Sequence, residues 1–135
     1  TNGAEIDLAS GTVARTFKSP DNAFFYGHAV FDTEADALLT ACMRYKNRAG
    51  HLVGYDARDY KIVSDDYICS GPVHDVQFTP TGELLAATNE VGWTEGKPLP
   101  VSLASLRSKD EWYLTGSALV FFDRVTKKRL RAMPI

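Results

Sequence analysis

Residues 73–89, Val73-His74-Asp75-Val76-Gln77-Phe78-Thr79-Pro80-Thr81-Gly82-Glu83-Leu84-Leu85-Ala86-Ala87-Thr88-Asn89, decide the fold. Two short runs rich in Val, Phe, Leu and Ala flank Thr79-Pro80-Thr81-Gly82. Pro presets the backbone for a turn and Gly supplies the positive φ that closes it, so the segment reads as a β-hairpin. Its expected strands are His74 to Thr79 and Leu84 to Asn89. The same pattern stands 46 residues earlier, as Gly27-His28-Ala29-Val30-Phe31, a polar stretch from Asp32, and Leu38-Leu39-Thr40-Ala41. His28 aligns with His74 and Leu38 with Leu84 at one offset, so the chain carries an internal repeat.

A second landmark recurs, an apolar strand that ends in Asp and a turn. It occurs at Ile6-Asp7-Leu8-Ala9-Ser10-Gly11, Gly54-Tyr55-Asp56-Ala57-Arg58-Asp59 and Phe121-Phe122-Asp123-Arg124-Val125-Thr126. Asp7 and Asp56 are 49 residues apart and Asp56 and Asp123 are 67, the excess falling in an insertion after Asn89. An Asp side chain accepts from amides two residues on, so these acids are expected to hold turns rather than to do chemistry.

Each unit then reads as four strands. The first has His28–Asp32, Leu38–Tyr45, His51–Tyr55 and Lys61–Tyr67, the second His74–Thr79, Leu84–Asn89, Ala118–Phe122 and Arg129–Pro134. Glu5–Leu8 and Thr12–Phe17 match strands three and four of a preceding unit, and no stretch has the period of an amphipathic helix. Four-stranded antiparallel units at this period are the signature of β-propeller blades, which stack because a lone sheet cannot cover both its apolar faces. The expected fold class is therefore all-β, a partial β-propeller of about two and a half blades. Residues 1–22 are half a blade, 23–70 a full blade, and 71–135 a blade with a long inserted loop at 90–116. Such a set cannot close a ring, and the sequence opens at Thr1 rather than Met, so a piece of a longer protein is the expectation.

At 135 residues, 44% apolar and 24% charged, the composition is that of one globular unit. A net charge of −2 argues against nucleic acid as partner, and no apolar run is long enough to span a membrane as a helix.

His28 and His74 hold equivalent places at the entry to the innermost strands. Neutral imidazoles there could ligate a metal at a channel mouth, or could fix the loops between blades through backbone hydrogen bonds. His51 reads as a turn residue, and Asp65-Asp66 as two solvated acids in a strand-end loop. Arg124, Lys127, Lys128, Arg129 and Arg131 read as a basic run on outer strands, of the kind that discourages edge pairing. Cys42 and Cys69 have no zinc spacing; Cys42 reads as a small buried residue, with a disulfide to Cys69 left open. The insertion carries Trp93, Pro98, Pro100, Trp112 and Tyr113, and long aromatic-bearing loops are common binding elements.

Through Phe25-Tyr26-Gly27-His28-Ala29-Val30-Phe31, Gly71-Pro72-Val73-His74-Asp75, Leu84-Leu85-Ala86-Ala87-Thr88-Asn89 and Ser117-Ala118-Leu119-Val120, the chain resembles a bacterial propeller family. That family is exported, of unknown function, and related to amine dehydrogenase heavy chains and the seven-bladed YVTN-type group. The likeness runs from Glu5 to Leu130. It departs where the family has Gly-Pro-His-Glu, since Val73 is inserted here and Asp75 stands in place of the Glu, and where Glu90-Val91 replaces a glycine pair. The resemblance implies an exported, periplasmic location.

The expected function is a non-enzymatic binding or scaffold module with no cofactor, whose partner is another protein or the remaining blades. His28, His74, Asp75, Trp93 and Trp112 are the expected binding residues. Strand parity puts the histidines and the Trp93 loop at one end. The alternative is an exported propeller enzyme or electron-transfer subunit with a metal or quinone-type site at the channel mouth, and a structural part of an envelope assembly is a third reading.

Overall fold

The computed structural model describes residues 1–46, 49–68, 71–89, 93–94, 97–98 and 117–134, and among them it is all-β, with no helix. β1 (Asn2–Asp7) and β2 (Thr12–Lys18) form a two-stranded antiparallel sheet. β3 (Ala23–Asp32), β4 (Ala37–Arg44), β5 (Gly50–Asp56) and β6 (Ile62–Ile68) follow as a four-stranded meander. β7 (Val73–Phe78) and β8 (Leu84–Asn89) come next, then β9 (Trp93–Thr94) and β10 (Lys97–Pro98), which pair with each other. β11 (Ser117–Phe122) and β12 (Arg129–Pro134) complete a second four-stranded sheet in the order β7-β8-β11-β12.

The repeat is realised strand for strand. The hairpin between β7 and β8 closes as its turn residues require, with the Gly82 amide donating to the Thr79 carbonyl at 2.9 Å and Gly82 at φ 84°. The recurring Asp residues act as turn locks. Asp7 Oδ1 accepts from the amides of Ala9 and Ser10 at 2.9 and 2.8 Å, Asp56 Oδ1 from Arg58 at 2.8 Å, and Asp123 Oδ1 from Val125 and Thr126 at 3.1 and 2.6 Å.

Four expectations are corrected. β3 begins at Ala23, so His28 lies within the strand rather than at its entry, because Ala23, Phe24 and Phe25 already pair with Arg44, Met43 and Cys42. His51 is not a turn residue but a fully buried member of β5, and Asp65-Asp66 lie within β6 instead of a loop. Arg124 sits in the β11–β12 turn and pairs with the neighbouring sheet rather than lying on an outer strand.

Period-two alternation gives the first meander two apolar faces. One carries Leu39, Ala41, Leu52 and Tyr67 and packs against Val73, Val76, Leu84, Ala86, Val120 and Phe122 of the second meander. The other carries Ala23, Cys42, Val53 and Tyr55 and packs against Phe17 of β2. Burying each large apolar side chain contributes roughly 1.5–3 kcal/mol, so the contact between meanders dominates cohesion.

Two glycines set the spacing of that contact. A Cβ on Gly27 would lie 2.3 Å from the His74 carbonyl oxygen, and one on Gly50 would lie 2.2 Å from that of Gly71. The Gly50 amide instead donates to the Gly71 carbonyl at 3.1 Å, so the chain entering β7 lies directly on the first sheet. Arg124 latches the far end. Its Nε donates to Asp32 Oδ2 at 3.0 Å, a second nitrogen donates to Asp32 Oδ1, and a third pairs with Glu34 at 2.7 Å. Asp32 is buried and also accepts from the amides of Glu34 and Ala35. Burial works to raise its carboxyl, but Arg124 and the two amides outweigh it and hold the group below the usual range.

Replacing Gly27 with Ala is expected to cost about 1–3 kcal/mol by overpacking against backbone, and Arg124→Met about 3–5 kcal/mol by stranding the Asp32 charge. Urea denaturation measures both; Asp32→Asn combined with Arg124→Met should recover part of the second loss.

Candidate functional site

The sequence brings His28 and His74 to the same spot by an irregularity in each of β3 and β7. The β3–β4 register shifts between Phe25 and Ala29, and the β7–β8 register shifts between Val73 and Asp75. Bulges re-aim side chains, and each of these carries a histidine outward. The two imidazole rings lie 5.4 Å apart at 50°, with Gly27 giving the room for β7 to approach. His28 Nδ1 is 3.2 Å from Asp75 Oδ1, and the side chains of His28 and Asp75 are 66% and 39% exposed.

Asp75 is in turn fixed by its neighbours. Burial works to raise its carboxyl, but the Val76 amide at 2.8 Å, His28 and Gln77 outweigh it and keep the group ionised below the ordinary range. A carboxylate on Nδ1 sets the tautomer of His28 and leaves Nε2 as the acceptor nitrogen of a largely exposed ring. The cluster therefore presents two imidazoles and one anchored carboxylate on a rigid pair of strands. Among the described residues no group of three or more His, Cys, Asp or Glu side chains is placed to hold a metal ion.

Of the other expected binding residues, Trp93 lies in β9, paired with Pro98 of β10, and Trp112 lies outside the described residues. The segment bearing them leaves after Asn89 and returns at Ser117, which is paired to Asn89, while Thr88 is paired to Val73. The insertion thus starts from the end of the second sheet at which His74 enters.

A second polar cluster went unread in the sequence. His51 Nδ1 bonds to Asp65 Oδ1, and Arg44 donates to Asp65 Oδ2 at 3.0 Å, which joins β4, β5 and β6. His51 is fully buried, and its Nε2 has no hydrogen-bond partner among the described residues. Cys42 stands opposite it in register and is buried, with no disulfide among the described residues and Thr40 Oγ1 3.5 Å from its sulfur. Burial pushes the thiol up, and the Asp65 charge adds to this, so the sulfur is a packing atom rather than a nucleophile. Cys69 lies outside the described residues, and with it any pairing to Cys42. The missed signal was His51 alternating in phase with the buried Val53 and Tyr55.

A model of a protein family of unknown function, DUF1513, matches residues 3–96, which hold the two-stranded sheet, the first meander and both histidines. No curated protein and no solved structure matches the chain.

Burial pushes the His51 imidazole down, against the pull of Asp65, so the folded chain favours the neutral ring. Stability is whole above about pH 6.5, where the unfolded chain also carries neutral histidine, and is lost as pH falls toward the lowered folded value. Urea unfolding between pH 7.5 and about 5, above the range where carboxylates titrate, should show this decline, and His51→Gln should flatten it.

Proposed function

Because the chain belongs to the DUF1513 family, whose function is not established, we propose from its own geometry that it is a binding module built on β-propeller blades. The recognition point is His28, His74 and Asp75, and the partner is another protein. The observation that carries this reading is the exposed cluster itself: consecutive repeats bulge at matching places and set two imidazoles 5.4 Å apart around an anchored carboxylate. The rings meet at the surface where the two sheets touch, and the His28 side chain stays 66% exposed, so the arrangement is open to a ligand.

The propeller part of the proposal rests on three features. Two four-stranded meanders repeat in sequence, they stack face to face, and β1–β2 add the outer pair of a further unit. A stack of such sheets places its inner strands, β3 and β7, side by side, and the histidines are on those strands. Exposed residues on a rigid scaffold are where proteins commonly place recognition. The insertion leaves this end after Asn89 and returns to it at Ser117, and its sequence carries Trp93 and Trp112, a residue type common in recognition elements. An exported, periplasmic setting belongs to this reading.

The test replaces Gln77, which is exposed beside Asp75, with a photo-crosslinking residue, and does the same at exposed Val63 on β6 as control. Irradiation in the host cell should yield a discrete adduct at 77 and none at 63. His74→Ala and Trp93→Ala should each weaken capture by about tenfold, the scale of a hot-spot truncation. Asp56→Ala should lower stability and leave the adduct intact. Equal labelling at both positions, or an adduct indifferent to His74, would refute the assignment.

A further inference from the structure

β1 and β2 are an outer strand pair without an inner one. Their turn is locked by Asp7 as the β5–β6 turn is by Asp56 and the β11–β12 turn by Asp123. In both complete sheets the inner edge of that pair is occupied, by β4 along β5 and by β8 along β11. The corresponding edge of β1 has no strand partner among the described residues.

The face opposite bears the matching signature. In the second meander the inner strands press Leu84, fully buried, Val76, 2% exposed, and Phe78 into the core against the first. Register puts Leu38, Ala29 and Phe31 of the first meander in the same three places, since Phe31 pairs with Leu38 as Phe78 pairs with Leu84. Here Leu38 is half-buried, Ala29 is exposed and Phe31 is 46% exposed. The matching positions, Ala29, Phe31 and Leu38 against Val76, Phe78 and Leu84, are thus covered in the second meander and open in the first. An open cleft of about 330 Å³ lies at this place, lined by Gly3, Phe17, Phe25, Ala29, Leu38 and Tyr60 among others, with no charged residue in its wall. Glu5 of β1 is already taken up by Arg15 at 2.6 Å and the Tyr60 hydroxyl at 2.9 Å.

We propose that the β1 edge and this cleft receive a β-hairpin of the inner-strand type, supplied by a further copy of this same repeat. One strand of the hairpin adds antiparallel to β1, as β8 adds to β11, and its partner strand lies over Ala29 and Phe31. The neutral wall selects the Leu, Ala and Phe face of such a hairpin over a charged ligand. Main-chain hydrogen bonds to the β1 edge provide attachment, and the alternate side chains provide the fit. The inference needs only the internal repeat and stands apart from the histidine site.

The experiment uses the full 135-residue chain and a synthetic peptide of residues 73–89 as the hairpin probe, read by hydrogen exchange. Saturating peptide should slow exchange in β1 and across Ala23–Leu38 by about tenfold or more, and a scrambled peptide should not. Ala29→Glu, a change at an exposed site on the seat, should abolish the slowing, while Val63→Glu on β6 should preserve it. Circular dichroism checks that both variants fold. Unchanged exchange in β1, or protection that survives in Ala29→Glu, overturns the proposal. So does protection confined to the second meander, or sedimentation showing a dimer whose β1 is protected and which the peptide does not dissociate; the last result would make a second whole copy the occupant.

Discussion

The close approach of the chain entering β7 to Gly27 and Gly50 is the constraint on which the rest of the molecule depends. Any side chain at either place would meet backbone atoms that have nowhere to move. With hydrogen there, the two meanders come near enough for Leu39, Ala41 and Leu52 to share one core with Val76, Leu84 and Val120. Dispersion falls steeply with separation, so this core depends on that spacing as much as on its apolar composition. The same approach brings the bulge at His28 against the bulge at His74. The fold and the candidate site therefore share a single cause.

Acidic side chains divide into two roles by reach, within one turn or between strands. Asp7, Asp56 and Asp123 hold turns at the surface, where water would otherwise serve their partners, and they shape the chain locally. Asp32 and Asp65 face Arg124 and Arg44 across strands or across sheets. A charge removed from water needs a fixed counterion and filled hydrogen-bonding positions, and Asp32 has both, from the guanidinium and two amides. Such a pair contributes register more than net stability: Arg124 can reach Asp32 only when the second meander sits in one place on the first. Tyr67, whose hydroxyl donates to the Arg124 carbonyl at 3.1 Å, fixes the turn from the other side.

Coverage of the sheets is uneven, and the unevenness is informative. The first meander is sealed on the face toward the second and only partly covered on the face toward β1 and β2. Exposed Ala29 and Phe31 belong to that second face, beside an open sheet edge. Soluble proteins commonly blunt such edges with charge or cover. The edge here has neither along its cleft, in keeping with a surface shaped for another element of the same kind.

Much of this was legible in the residues alone. The spacing of His28 to His74, Leu38 to Leu84 and Asp7 to Asp56 determined the repeat, since turn chemistry and period-two alternation are local properties of the chain. The strands that the sequence implies, and the role of the turn aspartates, agree with the structure to within a few residues, except that the Ala23–Phe25 run extends β3 toward its start. Tertiary structure alone decided the rest. Whether Arg124 is a surface cation or a latch on Asp32 depends on a contact 92 residues away in sequence. His51 looked like a turn residue because nothing near it in sequence reveals Asp65 on the next strand. The meeting of His28, His74 and Asp75 likewise required two bulges, which local pattern does not announce, and a glycine at position 27 whose purpose appears only when another strand lies on it. Local sequence determines which strands form, because strand and turn preferences act over a few residues; which side chains meet is set by how whole sheets pack.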